Sequence, residues 1–242
     1  MKDSQKLIYL DQFEVLDGLS TGEKEILVSK MDFKTKTRHK VIYEMGDTSS
    51  QVYFLLKGNI KIISGDDKKE FLKTIVQPGE LFGELCLIGE EKRKDIASSM
   101  NEEVEYLVLD ATTFLSFMKQ SYPLNHAVLM LIGERLREVE SRLESLLCKD
   151  ARTRIVEFLH RMAVKYGRKV GFEILVKHNL THFDIANMTG TCRQVVNMVL
   201  NELKRANIIH FSRRRILIRD MEILKTKEFG TKMKAVALPR VA

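Results

Sequence analysis

The sequence predicts an α+β chain in three consecutive parts, and three observations carry that prediction. Between about residues 38 and 110, short apolar runs rich in β-branched and aromatic residues alternate with turn signals. From about Leu124 the apolar residues recur in alternating steps of three and four, which marks a helix with one narrow apolar side. Beyond residue 148 the charge reverses. Residues 1–150 carry 21 Lys and Arg against 26 Asp and Glu, whereas residues 151–220 carry 14 against 5. An acidic first half and a basic second half assign contact with a polyanion to the second.

A chain of 242 residues with net charge +7 is long enough for two domains. Its first residues, MKDSQKLIYLDQFEVLDG, read as short amphipathic helices. They place acids where a signal peptide needs an uninterrupted apolar centre, so a cytoplasmic setting with no membrane partner is expected. The three cysteines, Cys86, Cys148 and Cys192, are far apart and fit no disulfide framework, metal site or iron-sulfur spacing.

The strand region follows from its punctuation. KVIYEMGD ends in Gly-Asp, QVYFLLKGNIKIISGDDKKE turns at Lys57-Gly58-Asn59 and again at Gly65-Asp66, and EFLKTIVQPGE ends in Pro-Gly. Strands at such intervals form a small barrel or sandwich. In the following helix, Leu129, Ile132, Leu136, Val139, Leu143 and Leu146 make a coiled-coil seam flanked by charges. A seam of this kind predicts a homodimer; packing on the chain's own barrel is the alternative. A further helix begins after Asp150, with Ile155, Phe158, Leu159 and Met162 on one face and a stop at Gly167.

The stretch LTHFDIANMTGTCRQVVNMVLNELKRANII, residues 180–209, has helix-turn-helix spacing. Thr181 is placed to cap a first helix with Phe183, Ile185, Ala186 and Met188 on its apolar face. Gly190 makes the turn, and Thr191 is placed to cap a second helix that buries Val195, Val196, Val199, Leu200 and Leu203. The opposite face of that second helix begins with Arg193, Gln194 and Asn197. A forked guanidinium matches guanine N7 and O6, and a planar amide matches adenine N6 and N7, so these three are the candidate readers of base edges in duplex DNA. Behind them, NIIHFSRRRILIRD reads as two strands around a turn carrying Arg213, Arg214 and Arg215, a basic wing suited to phosphates. His178 and His182 sit four apart, but no nucleophile-base pair or metal motif accompanies them, so no catalytic, metal or cofactor residue is assigned.

YFLLKGNIKI, PGELFGEL, the heptad helix ending at Asp150 and LTHFDIANMTGTCRQVV, in that order, make the chain resemble the CRP/FNR transcriptional regulators over about residues 10–220. The resemblance implies an antiparallel, jelly-roll-like β-roll resembling a cyclic-nucleotide-binding sensor over residues 1–122, a dimerisation helix over 123–148, and a winged helix-turn-helix over 149–220. Residues 221–242 form a tail expected to begin as a helix. It also implies a homodimeric bacterial regulator on a roughly palindromic operator, with RNA polymerase as a further partner.

For the roll, the resemblance implies a ligand pocket. Gly83, Glu84 and Leu85 match the turn that presents backbone N–H groups to a cyclic phosphate and a carboxylate to the ribose. The next element is an Arg-Ser pair in nucleotide-binding members, and counting forward lands on Lys94 and Asp95; Arg93 takes the cationic role if the loop differs by one residue. The Thr-Ser pair that contacts the purine from the dimer helix becomes Val139 and Glu140. These departures imply an effector other than cyclic AMP, or none. The alternative is a cyclic-nucleotide-responsive activator with a variant phosphate pocket.

Overall fold

The computed structural model describes residues 3–66, 69–212 and 214–225. The chain divides into two compact units, Met1–Val139 and Glu140–Ala242.

The first unit opens with α1 (Asp3–Leu10) and α2 (Thr21–Ser29), and closes with α3 (Ala111–Gln120) and the start of α4 (Tyr122–Cys148). The starts of α2 and α3 are chemically marked. Ser20 and Glu23 form a reciprocal capping box on α2, and the Asp110 carboxylate accepts from the Thr112 and Thr113 N–H groups at the head of α3.

Between these helices lie β1 (Asp32–Lys36), β2 (Val41–Tyr43), β3 (Gln51–Lys57), β4 (Ile60–Asp66), β5 (Lys69–Val76), β6 (Leu81–Phe82), β7 (Ile96–Ser99) and β8 (Val104–Asp110). They form two antiparallel four-stranded sheets, in the orders β1-β8-β3-β6 and β2-β7-β4-β5. The β-roll expected from the sequence is therefore present.

Strand β3 shows why this architecture holds. Its side chains alternate between two faces, and both faces are buried. Tyr53 and Leu55 join Ile60, Ile62, Phe82, Tyr106 and others from both sheets in the roll's interior. Val52, Phe54 and Leu56 face the other way, into a second core made with Leu10, Phe13, Leu27 and Phe114 of the helical segments. Phe54 is fully buried there, edge-on to Phe13 at 5.2 Å and to Phe114 at 6.0 Å between centroids.

The second unit holds the last turns of α4, then α5 (Ala151–Tyr166), β9 (Gly167–Val170), β10 (Glu173–Lys177), α6 (His182–Thr189), α7 (Arg193–Arg205), β11 (Ile209–Ser212), β12 (Arg215–Ile218) and α8 (Met221–Lys225). Its sheet runs β11-β12-β10-β9, all antiparallel. Asp150 caps α5 by accepting from the Thr153 N–H at 2.8 Å, and Ile155, Val156, Phe158 and Leu159 are buried. The helix expected at the start of the tail is α8; residues 226–242 lie outside the described residues. Among the described residues no helix is long and apolar enough to cross a membrane.

Along α4, Leu129, Leu136, Val139, Leu143 and Leu146 are exposed, as an unpartnered seam should be. Ile132 is the correction to that seam. It is partly buried and packs on the roll's own helical core, so the chain's own fold has already claimed one position of the stripe.

Phe54→Ala is expected to lower stability by about 3–5 kcal/mol, because it leaves a cavity where one face of the β1-β8-β3-β6 sheet packs against the helical segments. The loss should be read as a lower urea midpoint at unchanged slope.

Candidate nucleic-acid interface and roll pocket

The start of α6 is fixed by a capping box. Thr181 Oγ1 accepts from the Asp184 N–H at 3.1 Å, and the Asp184 carboxylate accepts from the Thr181 N–H at 2.8 Å. Its end is fixed by Gly190 at φ +61°, in the left-handed region, with the Gly190 N–H directed to the Ala186 and Asn187 carbonyls. Ile185 and Ala186 are buried, but Phe183 is not: it is 58% exposed, because the short helix turns it away from the core that Ile185 enters.

The turn delivers α7 with Val196, Val199, Leu200 and Leu203 buried. On the opposite side Arg193, Gln194 and Asn197 are all exposed. Thr191 does not cap this helix. The residue that leaves helical geometry is Cys192, which offers no side-chain cap, while the Thr191 N–H returns to the Ala186 carbonyl at 2.9 Å. The first-turn N–H groups of α7 therefore receive no cap from the Cys192 side chain, beside Arg193. Asn197 is already engaged in the free protein, since Asn201 Nδ2 donates to its backbone oxygen at 2.9 Å and to its Oδ1 at 3.2 Å.

The wing is the hairpin of β11 and β12, anchored by buried Ile209, Ile216 and Ile218. Arg214 and Arg215 are exposed at its turn; Arg213 lies outside the described residues. Recognition-helix side chains and wing arginines thus come from adjacent elements of one small unit, a basic surface suited to duplex DNA.

Behind this surface, His178, His182, Ile185, Leu200 and Phe211 line a cavity of about 260 Å³. His178 Nδ1 accepts from the Leu180 N–H at 3.2 Å, which puts the ring proton on Nε2, and Nε2 is buried without a partner among the described residues. Burial, aided by the neighbouring His182, holds His178 below the ordinary histidine pKa. His182 is lowered by burial and by the charge of Arg193.

In the roll, Gly83 (φ +72°) precedes the 3-10 turn Glu84–Ile88. A Cβ at Gly83 would stand 2.9 Å from the Tyr53 ring and 3.2 Å from Arg93 Nη1, so the close approach as well as the conformation demands glycine. The cation beside this turn is Arg93, not Lys94. The path from the turn to β7 is one residue shorter than the count from the sequence assumed, so Lys94 is exposed and Arg93 is 3% exposed.

Arg93 Nη1 donates to the Gly83 carbonyl at 2.8 Å, Nη2 donates to the Gln51 carbonyl, and the guanidinium lies 4.5 Å from the Tyr43 ring centroid. Its Nε is buried without a partner among the described residues. Asp95 is also buried, paired with Lys73 at 2.7 Å. Burial above all, and after it the Asp95 charge, pushes the Tyr43 hydroxyl well up.

Glu84 is buried and held by Arg135 of α4, which also donates to the Leu81 carbonyl. Leu85 is half-buried. Val139 is 64% exposed, and Glu140 is exposed. No spacing in the sequence relates Arg135 to Glu84, 51 residues earlier; the fold alone brings them together.

Two family models match: a cyclic nucleotide-binding domain over residues 33–121 and a Crp-like helix-turn-helix domain over residues 153–227. The chain is 27% identical over 211 residues to the CRP-like cAMP-activated global transcriptional regulator of Mycobacterium tuberculosis, covering 87% of this chain and 94% of that one. It is 26% identical to the cyclic AMP receptor protein of Thermus thermophilus, covering 88% and 95%. It is also 26% identical to the anaerobic regulatory protein of Bacillus subtilis, covering 84% and 81%. Among solved structures, a CooA mutant from Carboxydothermus hydrogenoformans superposes with TM-score 0.72 at 24% identity, covering 88% of this chain and 93% of that one. FixK2 from Bradyrhizobium japonicum superposes with TM-score 0.70 at 18% identity, covering 80% and 95%. These structural likenesses show the fold.

A histidine whose folded pKa lies below its unfolded value binds fewer protons when folded, so the stability it contributes is complete above the unfolded value, 6.5, and is lost as the pH falls below it. The thermal midpoint of the wild-type chain should therefore fall between about pH 7.5 and 5.5 by more than that of His178→Gln, measured by circular dichroism.

Proposed function

The chain belongs to the CRP/FNR family of DNA-binding transcription regulators, and from that premise we propose a homodimer, paired along α4, that reads a roughly palindromic operator with its two α7 helices. The observation that carries this reading is the division of α7 into two faces. Val196, Val199, Leu200 and Leu203 are consumed by the core, while Arg193, Gln194 and Asn197 stand exposed at the end that enters a major groove. Arg214 and Arg215 supply phosphate contacts that add affinity and salt dependence. RNA polymerase is a further proposed partner, through an exposed loop.

For the roll we propose an effector other than cyclic AMP, or control by abundance alone. The support begins with Asp95, a buried carboxylate two residues after Arg93 that is already paired with Lys73 at 2.7 Å and has no hydrogen-bond donor to offer a phosphate. Lys94 is exposed, unlike the buried Arg93 before it. Val139 and Glu140 offer no neutral hydroxyl for a purine.

One observation favours the second reading, a cyclic-nucleotide-responsive activator with a variant pocket. Arg93 is buried beside Gly83 with an unpartnered Nε, and Glu84 is in place. Two of the relatives carry cyclic AMP in their names.

Arg193→Ala is expected to lower the preference for a duplex selected by the wild-type chain by about 1–3 kcal/mol, with salt-sensitive weak binding to any duplex retained. Fluorescence anisotropy against selected and scrambled duplexes measures both; unchanged preference overturns the assignment. The same titration with cyclic AMP or cyclic GMP should leave affinity unchanged, and a tenfold gain with either would install the second reading.

A further inference from the structure

The joint between α4 and the helix-turn-helix is built from guanidinium groups on backbone carbonyls. Arg154, in the first turn of α5, donates from Nε to the Thr189 carbonyl at 2.7 Å, from Nη2 to the Gly190 carbonyl at 2.9 Å, and from Nη1 to the Lys149 carbonyl at 2.6 Å. Arg142, on α4 itself, donates from Nη2 to the Asn187 carbonyl at 2.8 Å. The Thr189, Gly190 and Asn187 acceptors cluster at the C-terminal end of α6, and Lys149 directly follows α4. Carbonyls at helix C-termini have no intrahelical donor and carry the negative end of the helix dipole, so a cation there both satisfies and neutralises them.

Two further contacts tighten the same joint. Leu146 of α4 lies so close to Gly190 that a Cβ on the glycine would stand 2.2 Å from Leu146 Cδ2. Lys149 Nζ pairs with both Glu157 oxygens, at 2.7 and 2.9 Å, tying the end of α4 to α5. All of these residues belong to the unit Glu140–Ala242.

We infer that Arg154 and Arg142 are positioning residues for DNA recognition, fixing the turn before α7 to residues 142–149 so that the recognition helix moves as one body with the C-terminal turns of α4. Arg193, Gln194 and Asn197 touch the bases; Arg154 and Arg142 set where those three stand. A planar fork with several fixed donors spans carbonyls of two elements at once, which a lysine's single ammonium does not reproduce. In a dimer paired along α4, the separation and tilt of the two recognition helices are then set by this joint, and with them the tolerated distance between half-sites.

The inference rests on the reading of a dimer on a palindromic duplex, and the test separates the two. The full-length wild-type chain is used to select duplexes from a random-sequence pool. If it selects no symmetric sequence, the palindrome reading fails before any variant is made. From the selected duplex, a series is prepared with one or two base pairs inserted or removed between the half-sites. Wild-type, Arg154→Gln, Arg154→Lys and Arg142→Gln chains are titrated against the series after circular dichroism and sedimentation confirm that each is folded and dimeric.

The expected result is a wild-type affinity that falls at least tenfold when the spacing changes by one base pair. In the variants the best affinity is lower and the penalty for a one-base-pair change shrinks to twofold or less, while the preferred bases within each half-site are unchanged. Loss of folded protein alone would lower affinity at every spacing in proportion and leave the penalty intact. If Arg154→Gln does not fold, Arg154→Lys and Arg142→Gln decide. Folded variants that discriminate spacing as sharply as the wild type overturn the inference.

Discussion

A single constraint shapes this molecule: α4 carries more apolar surface than one chain covers. Leu136 and Val139, at 58% and 64% exposure, lie in water one turn apart, with Leu129 before them and Leu143 after. Burying such a side chain fully is worth about 1.5–3 kcal/mol. The flanking Glu134, Glu138 and Arg137 leave the stripe too narrow for a core and suited to a second copy of the same helix. The two-fold pairing proposed above would present two identical readers, which a symmetric duplex matches.

The chemistry on either side of that helix is divided by charge. The first unit supplies the roll, an acidic structure in which several cations are held by its own carboxylates and carbonyls. Arg93 is held by Gly83 and Gln51, Arg135 by Glu84 and Leu81, and Lys73 by Asp95. The second unit keeps Arg193, Arg214 and Arg215 at its surface. Among the described residues three of its arginines are not exposed: Arg142 and Arg154 donate to carbonyls at the turn before α7, the joint proposed to aim that helix, and Arg152 pairs with Glu202 at 2.6 Å. The same residue type thus serves as reader, phosphate contact or internal brace according to what surrounds it.

Much of this was legible in the sequence because it depends on local spacing. Thr181 three residues before Asp184 is a capping signature, Gly190 is a turn signature, and the valines and leucines of α7 repeat with the helical period. The roll was legible from turn residues at short intervals. What failed depends on geometry that spacing does not encode. Thr191 is a better cap by residue type than Cys192, but the chain enters α7 one residue later. Lys94 was reached by counting across a loop, and one residue fewer turned Arg93 inward instead. Phe183 is apolar and exposed, and Ile132 fits the seam yet packs on its own core. Arg135, Arg142 and Arg154 were invisible as functional residues, since each bonds partners tens of residues away.

The central claim is that two copies of α7, fixed by pairing of α4, lie in successive major grooves on one face of the duplex. A hydroxyl-radical footprint of the full-length chain on a duplex it has itself selected tests this most directly. The account predicts two protected patches of equal strength, related by two-fold symmetry and centred about 34 Å, one helical turn, apart. A single protected patch, or two patches without that symmetry, would contradict it.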